Sequence, residues 1–263
     1  MKNDFSFAIA GTAQSDGDTR YIELAKLLPR LTSDITLADA VVFPIPFKWN
    51  DELMSALRPE QYILAGNVTA AQNAEAERLG LTLLDYSSGE PFAVANALLT
   101  AEGAIETALR ETAFTLCNSR SLVIGFGRIG KLLAHRLRGM GSDVAVYARS
   151  ATDKAWVSAY GYRESDYRSA PVELSRYDVI FNTAPARMLD SSALALARSA
   201  TIIDLASKPG GVDMKTAERF GIRVIHALGL PGKTAPISAA MIIRDSIFSI
   251  LGAPSQLQGD PVI

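Results

Sequence analysis

The chain has 263 residues, 48% of them hydrophobic and 21% charged, with a formal charge of -2 and a pI near 5.8. That length suits two modest domains, and the apolar share with so little net charge excludes a disordered chain. With no run of five like charges, an electrostatic footprint for nucleic acid or an anionic membrane surface is excluded too, so the expected ligands are small.

In the first third, apolar runs at 5–11 (FSFAIAG), 40–46 (AVVFPIP), 62–66 (YILAG) and 81–86 (LTLLDY) read as strands. Tyr21-Ile22-Leu24-Ala25-Leu27-Leu28 and the stretch from Ala70 to Leu79 have helical spacing, and the alternation predicts a parallel sheet. Pro44 and Pro46 fit the end of a strand rather than its interior. The N-terminal apolar stretch is short and interrupted by Ser6, and no run of about 18 apolar residues occurs, so neither secretion nor membrane insertion is expected. Cys117 is the single cysteine, which excludes an internal disulfide and a cysteine-built zinc site; a cytoplasmic location and no metal are expected.

From Pro91 to about Leu116 an Ala- and Leu-rich run predicts a long helix joining two domains, with Gly103 marking a kink or a close approach. Beyond it, runs at 122–125, 143–148, 179–183, 200–206 and 222–227 read as five strands with helical crossovers. An apolar helix from Ile237 to about Leu251 is expected to pack back on the first domain, before a disordered tail, SQLQGDPVI. The expected fold class is α/β, with two doubly wound parallel-sheet domains. These are a flavodoxin-like substrate domain (1–95), a linking helix (96–118), a Rossmann-type NAD(P)-binding domain (119–236), and a returning helix with its tail (237–263).

Gly125-x-Gly127-x-x-Gly130, enclosing Arg128 and Ile129, follows a β-branched run and precedes the helical LLAHRL, which is the setting a dinucleotide loop needs. Gly125 permits the turn, Gly127 lets pyrophosphate approach the backbone, and Gly130 allows close helix–strand packing. The anion would lie at a helix N-terminus. Where an NAD site carries an acid, this chain has Ala148-Arg149-Ser150, with Lys154 one turn on. Arg149 as a phosphate fork, the Ser150 hydroxyl and the Lys154 charge predict NADP. Arg149 merely stacked on adenine would leave NAD possible. Asn182, Thr183 and Pro185 follow a strand and are expected to border the nicotinamide ribose, or else to form a plain turn. Asp204 is grouped with the cofactor residues, more as a buried hydrogen-bonding anchor than as a base.

Lys208 and Lys233 lie in the glycine-proline stretches 206–211 (ASKPGG) and 228–236 (LGLPGKTAP), each after a strand. Two ammonium groups with nearby backbone N–H groups suit an acidic substrate, although both could be solvated surface lysines. His135 is expected to pack or face solvent, His226 is a weaker candidate acid–base group, and Cys117 has no activating neighbours in sequence.

TAEGAIE (100–106), GFGRIG (125–130), ARS (148–150), NTAP (182–185), DLASKPGG (204–211) and GLPGKTAP (229–236), in this order, resemble the A-subunit family of dipicolinate synthase from spore-forming bacteria. GDTRY (17–21) and AGNVT (65–69) are similar to first-domain loops of that family. The resemblance implies an architecture like the D-2-hydroxyacid dehydrogenases, with an active site in the cleft. It also implies oxidation of a dihydrodipicolinate-type ring to pyridine-2,6-dicarboxylate with a flavoprotein-like B subunit, in the mother-cell cytoplasm during sporulation. A homo-oligomer is expected. Loop placement and the family motifs together nominate Lys208, with Glu102 as a proton-transfer group, for catalysis. For the dicarboxylate substrate they nominate Ser207, Lys233, Arg20, Thr12 and the N–H groups around Gly210, Gly211 and Gly232. Two other readings stay open. One is a stand-alone NAD(P)-dependent oxidoreductase of a 2-hydroxy or 2-oxo acid, which would need a His–acid pair; the other is a non-catalytic nucleotide-sensing or partner-binding subunit.

Overall fold

Two parallel sheets organise the chain. The computed structural model describes residues 5–10 and 18–252, apart from the side chains at 172 and 173. Residues 1–96 with 231–263 form one unit and residues 97–230 the other.

Unit 1 runs β1 (Phe7–Ile9), α1 (Arg20–Leu27), β2 (Ala40–Val42), α2 (Asp51–Ser55), β3 (Tyr62–Ala65), α3 (Ala70–Arg78) and β4 (Thr82–Asp85). Its strands pair in sequential order, with Ala8 opposite Val41, Val41 opposite Ile63 and Ile63 opposite Leu83. A single parallel bridge from Phe7 to Leu31 adds a rudimentary strand outside β1. Counting it, the order is 2-1-3-4-5, that of a flavodoxin-like sheet. β2 ends at Val42, before Pro44 and Pro46, which could not donate to the ladder. Asn50 caps α2, and Thr69 with Gln72 forms a capping box on α3. The Tyr21 hydroxyl lies 2.8 Å from that of Tyr86 and accepts from the Ile45 N–H at 2.7 Å. Tyr86 donates to the Phe43 carbonyl at 3.0 Å. Burial pushes both phenols above their ordinary range.

The helix α4 (Glu90–Glu111) belongs to unit 1 up to Asn96 and to unit 2 from Ala97. Its small residues Ala101, Ala104 and Ala108, with Ile105, recur at helical spacing and are buried in the core of unit 2 with Leu133, Leu137 and Val146. Alanine at those places lets the backbone lie close to the neighbouring elements, so this half is core rather than a free linker. The helix stops at Glu111, short of Leu116.

Unit 2 continues with β5 (Arg120–Ile124), α5 (Arg128–Gly139), β6 (Asp143–Tyr147), α6 (Ala151–Ala159), β7 (Arg163–Glu164), β8 (Val179–Asn182), α7 (Ser191–Leu196), β9 (Thr201–Asp204), α8 (Met214–Arg219) and β10 (Val224–His226). The parallel order β10-β9-β8-β5-β6-β7 is that of a dinucleotide-binding sheet, with its switch point between β5 and β8. β7 is a sixth strand, and its two residues are polar and exposed. A second core layer, including Ile124, Ile180, Leu194 and Ile202, fills the other face of the sheet. Asp190 and Asp213 cap α7 and α8.

Past β10 come α9 (Leu230–Thr234) and α10 (Pro236–Leu251). α10 packs on α1, its Phe248 ring lies 6.0 Å from that of Phe7, and Ser246 donates to the Tyr86 carbonyl at 2.5 Å. Unit 2 thus ends at Leu230 rather than 236, and the Gly232 carbonyl accepts from the Thr19 N–H within unit 1. The tail expected to be disordered lies outside the described residues. Among those residues no helix is long and apolar enough to cross a membrane.

Candidate dinucleotide site

The three glycines of GFGRIG do different work. Gly125 sits at φ 98°, and a Cβ there would come 2.6 Å from Thr183 Oγ1. A Cβ on Gly130 would collide with the Gly125 carbonyl oxygen, whereas one on Gly127 would meet nothing within 4 Å. Gly127 is the N-cap of α5 in extended backbone, with no side-chain cap. The first turn of α5 therefore keeps N–H groups without a side-chain acceptor, beside open space at the switch point, which fits the pyrophosphate of a dinucleotide. Arg128 is exposed at the first helical position, and Ile129 packs against the core. Thr183 anchors the next strand end to this turn, because its N–H and its hydroxyl both donate to the Ile124 carbonyl, at 2.9 and 3.0 Å. Pro185 is exposed. Asn182 differs from expectation: it is fully buried, its amide donating to Asp204 Oδ1 at 2.8 Å and to the Ala184 carbonyl at 3.2 Å. It supports the loop from behind rather than bordering a ribose.

At the adenosine end Ala148 is buried just past β6, and Arg149 is exposed with no hydrogen bond or ion pair among the described residues. Ser150 and Lys154 are engaged otherwise than expected. Ser150 is the N-cap of α6: it accepts from the Asp153 N–H at 3.0 Å and donates to Asp153 Oδ2 at 2.7 Å. Its hydroxyl is therefore taken by the helix cap. Lys154 is ion-paired with Glu164 on β7, and the hydrogen bond that it donates to Glu164 holds its ammonium above the ordinary lysine range. Asp153 and Glu164 do not stand out in the sequence. The spacing Ser150-x-x-Asp153 is a helix-start signature that could have flagged the first; no local pattern reports the second.

Asp204, 1% exposed, organises residues 206–211. Its Oδ1 accepts from Asn182 and from the Ala206 N–H at 3.2 Å, and its Oδ2 accepts from the Gly211 N–H at 2.8 Å. A carboxylate so enclosed is an anchor, not a cofactor ligand. The Gly210 N–H donates to the Ser207 carbonyl at 2.9 Å, so the N–H groups of Gly210 and Gly211 are occupied and do not await a carboxylate. A Cβ on Gly210, at φ 91°, would lie 2.7 Å from Asp204 Oδ2, and one on Gly211 would collide with the Asn182 amide. His226 is half-buried with Nε2 2.8 Å from the Ala206 carbonyl oxygen, another support of the loop. Ser207 and Lys208 are exposed, and Lys208 has no ion-pair partner among the described residues.

In unit 1, Arg20 is buried and bonded to Asp18, with Nε 2.9 Å from Oδ1 and Nη2 2.7 Å from Oδ2. Nominated for the substrate, it is already neutralised by Asp18. Gly232 packs so closely on Asp18 and Arg20 that a Cβ would collide with both. Lys233 is exposed on the single turn of α9 rather than in a loop. Thr12 lies outside the described residues. Back in unit 2, Glu102 is exposed and 3.2 Å from Arg136. Arg136 is about 12 Å of helical rise along α5 from Arg128, so Glu102 points at the flank of α5 and not at the turn. His135 and Cys117 are exposed, and no group of three or more His, Cys, Asp or Glu among the described residues could hold a metal ion.

Residues 94–208 match the family described as D-isomer specific 2-hydroxyacid dehydrogenase, NAD binding domain. The A subunit of dipicolinate synthase from Bacillus subtilis (strain 168) is 34% identical over 179 residues, which are 68% of this chain and 59% of that protein's length. The crystal structure of the same subunit from Bacillus halodurans superposes with a TM-score of 0.82 at 26% identity, over 95% of this chain and 98% of that one. The A chain of dipicolinate synthase from Bacillus subtilis shares the fold, with a TM-score of 0.79 at 23% identity over 94% of this chain and 95% of that one. Fold and glycine turn thus define the class: an α/β protein of two parallel-sheet units, one of them a NAD-binding domain of the D-2-hydroxyacid dehydrogenase type. Within that class, the chain is a homologue of the A subunit of dipicolinate synthase, and the match spans 59% of that relative's length.

Proposed function

We propose that the chain is the nucleotide-binding component of an oxidoreductase that converts dihydrodipicolinate to pyridine-2,6-dicarboxylate with NADP. The reading is carried by one observation: an uncapped glycine turn, open beside Gly127, at the switch point of unit 2 in a homologue of the dipicolinate synthase A subunit. A bound nicotinamide would supply the acceptor for a hydride from a ring carbon, with a proton lost from the ring as the product becomes aromatic. The chain's own part is binding and orientation. The N–H groups at the start of α5 receive the pyrophosphate, with Thr183 and Pro185 edging the nicotinamide end. Arg149 supplies a planar fork for the 2′-phosphate beside Ala148, where an acid would repel it. After the structural corrections at Ser150 and Lys154, the preference for NADP rests on Arg149.

Lys208, with Ser207 beside it, and Lys233 are proposed for the substrate carboxylates, since both lysines are exposed and without ion-pair partners among the described residues. Arg20, held by Asp18, would orient rather than add net charge. A B subunit, a homo-oligomer and a role in the mother-cell cytoplasm during sporulation belong to the same proposal. Their support is the relative's name, which makes it one part of a larger synthase, together with the family resemblance. The test combines purified chain, NADP and freshly generated dihydrodipicolinate, with and without a B subunit, and follows product absorbance. Turnover in at least one mixture, lowered at least about tenfold in Lys208→Ala as the loss of one charge-assisted carboxylate contact requires, is the expected result. Nucleotide binding with no turnover in either mixture would overturn the oxidation.

A further inference from the structure

Lys154 is placed to reach a ribose phosphate, yet it is held by a carboxylate. It lies in the first turn of α6, four residues after the Ser150 cap and directly downstream of β6 and Arg149, where the second strand of such a sheet presents its residues to the adenosine ribose. β7 runs parallel beside β6, with Glu164 opposite Val146, so the carboxyl ends of the two strands are adjacent. The Lys154 and Glu164 side chains are each 40% exposed. Their pair can open at little cost, and any anion that recruits Lys154 leaves Glu164 behind as an unpaired carboxylate. Asp166 adds a further negative charge near Lys154, and Asp153 is hydrogen-bonded to Ser150. Three carboxylates (Asp153, Glu164, Asp166) thus stand against two cations (Arg149, Lys154).

We propose that Glu164, acting through Lys154, is a specificity-determining residue of the adenosine end: it holds down the affinity for a 2′-phosphate and leaves an unphosphorylated ribose unaffected. This rests on the reading that unit 2 binds a nicotinamide dinucleotide at its glycine turn. Competition for the Lys154 ammonium and repulsion by the carboxylate left behind act in the same direction, and both vanish when Glu164 is made neutral. The 5′-phosphate end, received by α5, lacks this control because no carboxylate side chain caps that helix.

The experiment is calorimetric titration of the full chain and of Glu164→Gln, Lys154→Ala and the double variant, with 2′,5′-ADP and 5′-ADP as probes at low salt. Glu164→Gln is expected to tighten 2′,5′-ADP by about tenfold, the effect of removing one nearby like charge at an exposed site, with 5′-ADP within about twofold of the parent. In the double variant, compared with Lys154→Ala alone, the gain shrinks to the part that relief of repulsion supplies. A change shared equally by both probes, no change, a weaker 2′,5′-ADP complex, or a gain undiminished when Lys154 is absent would each overturn the assignment to Glu164 acting through Lys154 while leaving the nucleotide site standing. Failure of both probes to bind any variant would overturn the nucleotide site as well.

Discussion

Two glycine-bearing loops of unit 2, similar in composition and both at carboxyl ends of strands, are built on opposite plans. In the turn between β5 and α5, Gly127 faces open space and the helix start has no side-chain cap, so donors are left over. In residues 206–211 the glycines face Asp204 and Asn182, and a buried carboxylate takes up the donors. Glycine serves the first loop by absence, leaving the room that the proposed pyrophosphate would occupy. It serves the second by contact, letting the backbone close around an anion that belongs to the chain. The first plan leaves donors open, as the proposed pyrophosphate site requires, and the second fastens the backbone that carries Ser207 and Lys208.

If that contrast holds, the two loops fail differently. The largest effect is expected at the closed loop. Asp204→Ala would strand the Asn182 amide and the N–H groups of Ala206 and Gly211, costing about 3–5 kcal/mol of stability in chemical denaturation, while a folded fraction still binds 5′-ADP. A cost below about 1 kcal/mol would show that the carboxylate is not what closes the loop. At the open turn the expectation reverses. Gly127→Ala should leave stability within about 0.5 kcal/mol, because the methyl meets nothing, yet weaken 5′-ADP by about tenfold by standing where pyrophosphate approaches. Equal binding by parent and variant would break the comparison from the other side.

The smallest effect sharpens how the closed loop is fastened. The Gly211 carbonyl accepts from the N–H groups of Met188 and Leu189, just before the Asp190 cap of α7. The Ser192 hydroxyl and then the Ala193 N–H hold the Asp190 carboxyl below the ordinary carboxylate range. Because the folded value is depressed, this stabilisation is complete above the unfolded value near 3.9 and is lost as pH falls through the folded value. Asp190→Ala should cost no more than about 1 kcal/mol near neutrality, solvent screening included, and the gap between variant and parent should narrow in denaturation at about pH 3. A gap independent of pH would assign the cap to the backbone alone.

Much of the architecture was legible because buried parallel strands read as apolar runs bounded by small residues: β1 to β4, β6 and β8 to β10 lie within such runs, and β5 begins two residues before its run. β7 was not legible, since two exposed polar residues on a sheet edge carry no hydrophobic pattern. The glycine turn could be read in full, its constraints being local. The side chains around it could not. Whether Lys154 on α6 faces a phosphate or a carboxylate depends on Glu164, ten residues away on β7, and Arg20 depends on how Asp18 folds back on α1. Asn182 looked like a ligand because polar residues at strand ends often are, but burial and its hydrogen bond to Asp204 make it scaffolding, whereas Asp204 is the buried anchor that its place at the end of an apolar strand suggests.

The brevity of β7 also bears on solubility. A six-stranded sheet offers its outermost strand as a template on which a strand from another molecule could add. Here that rim is two residues long, and both are charged: Arg163 is tied back to Asp143 at 3.3 Å and Glu164 to Lys154. An incoming strand would find almost no ladder to extend and would have to desolvate two ion pairs to reach it. The residue that tempers phosphate selectivity thus also helps keep the sheet from growing beyond its own chain.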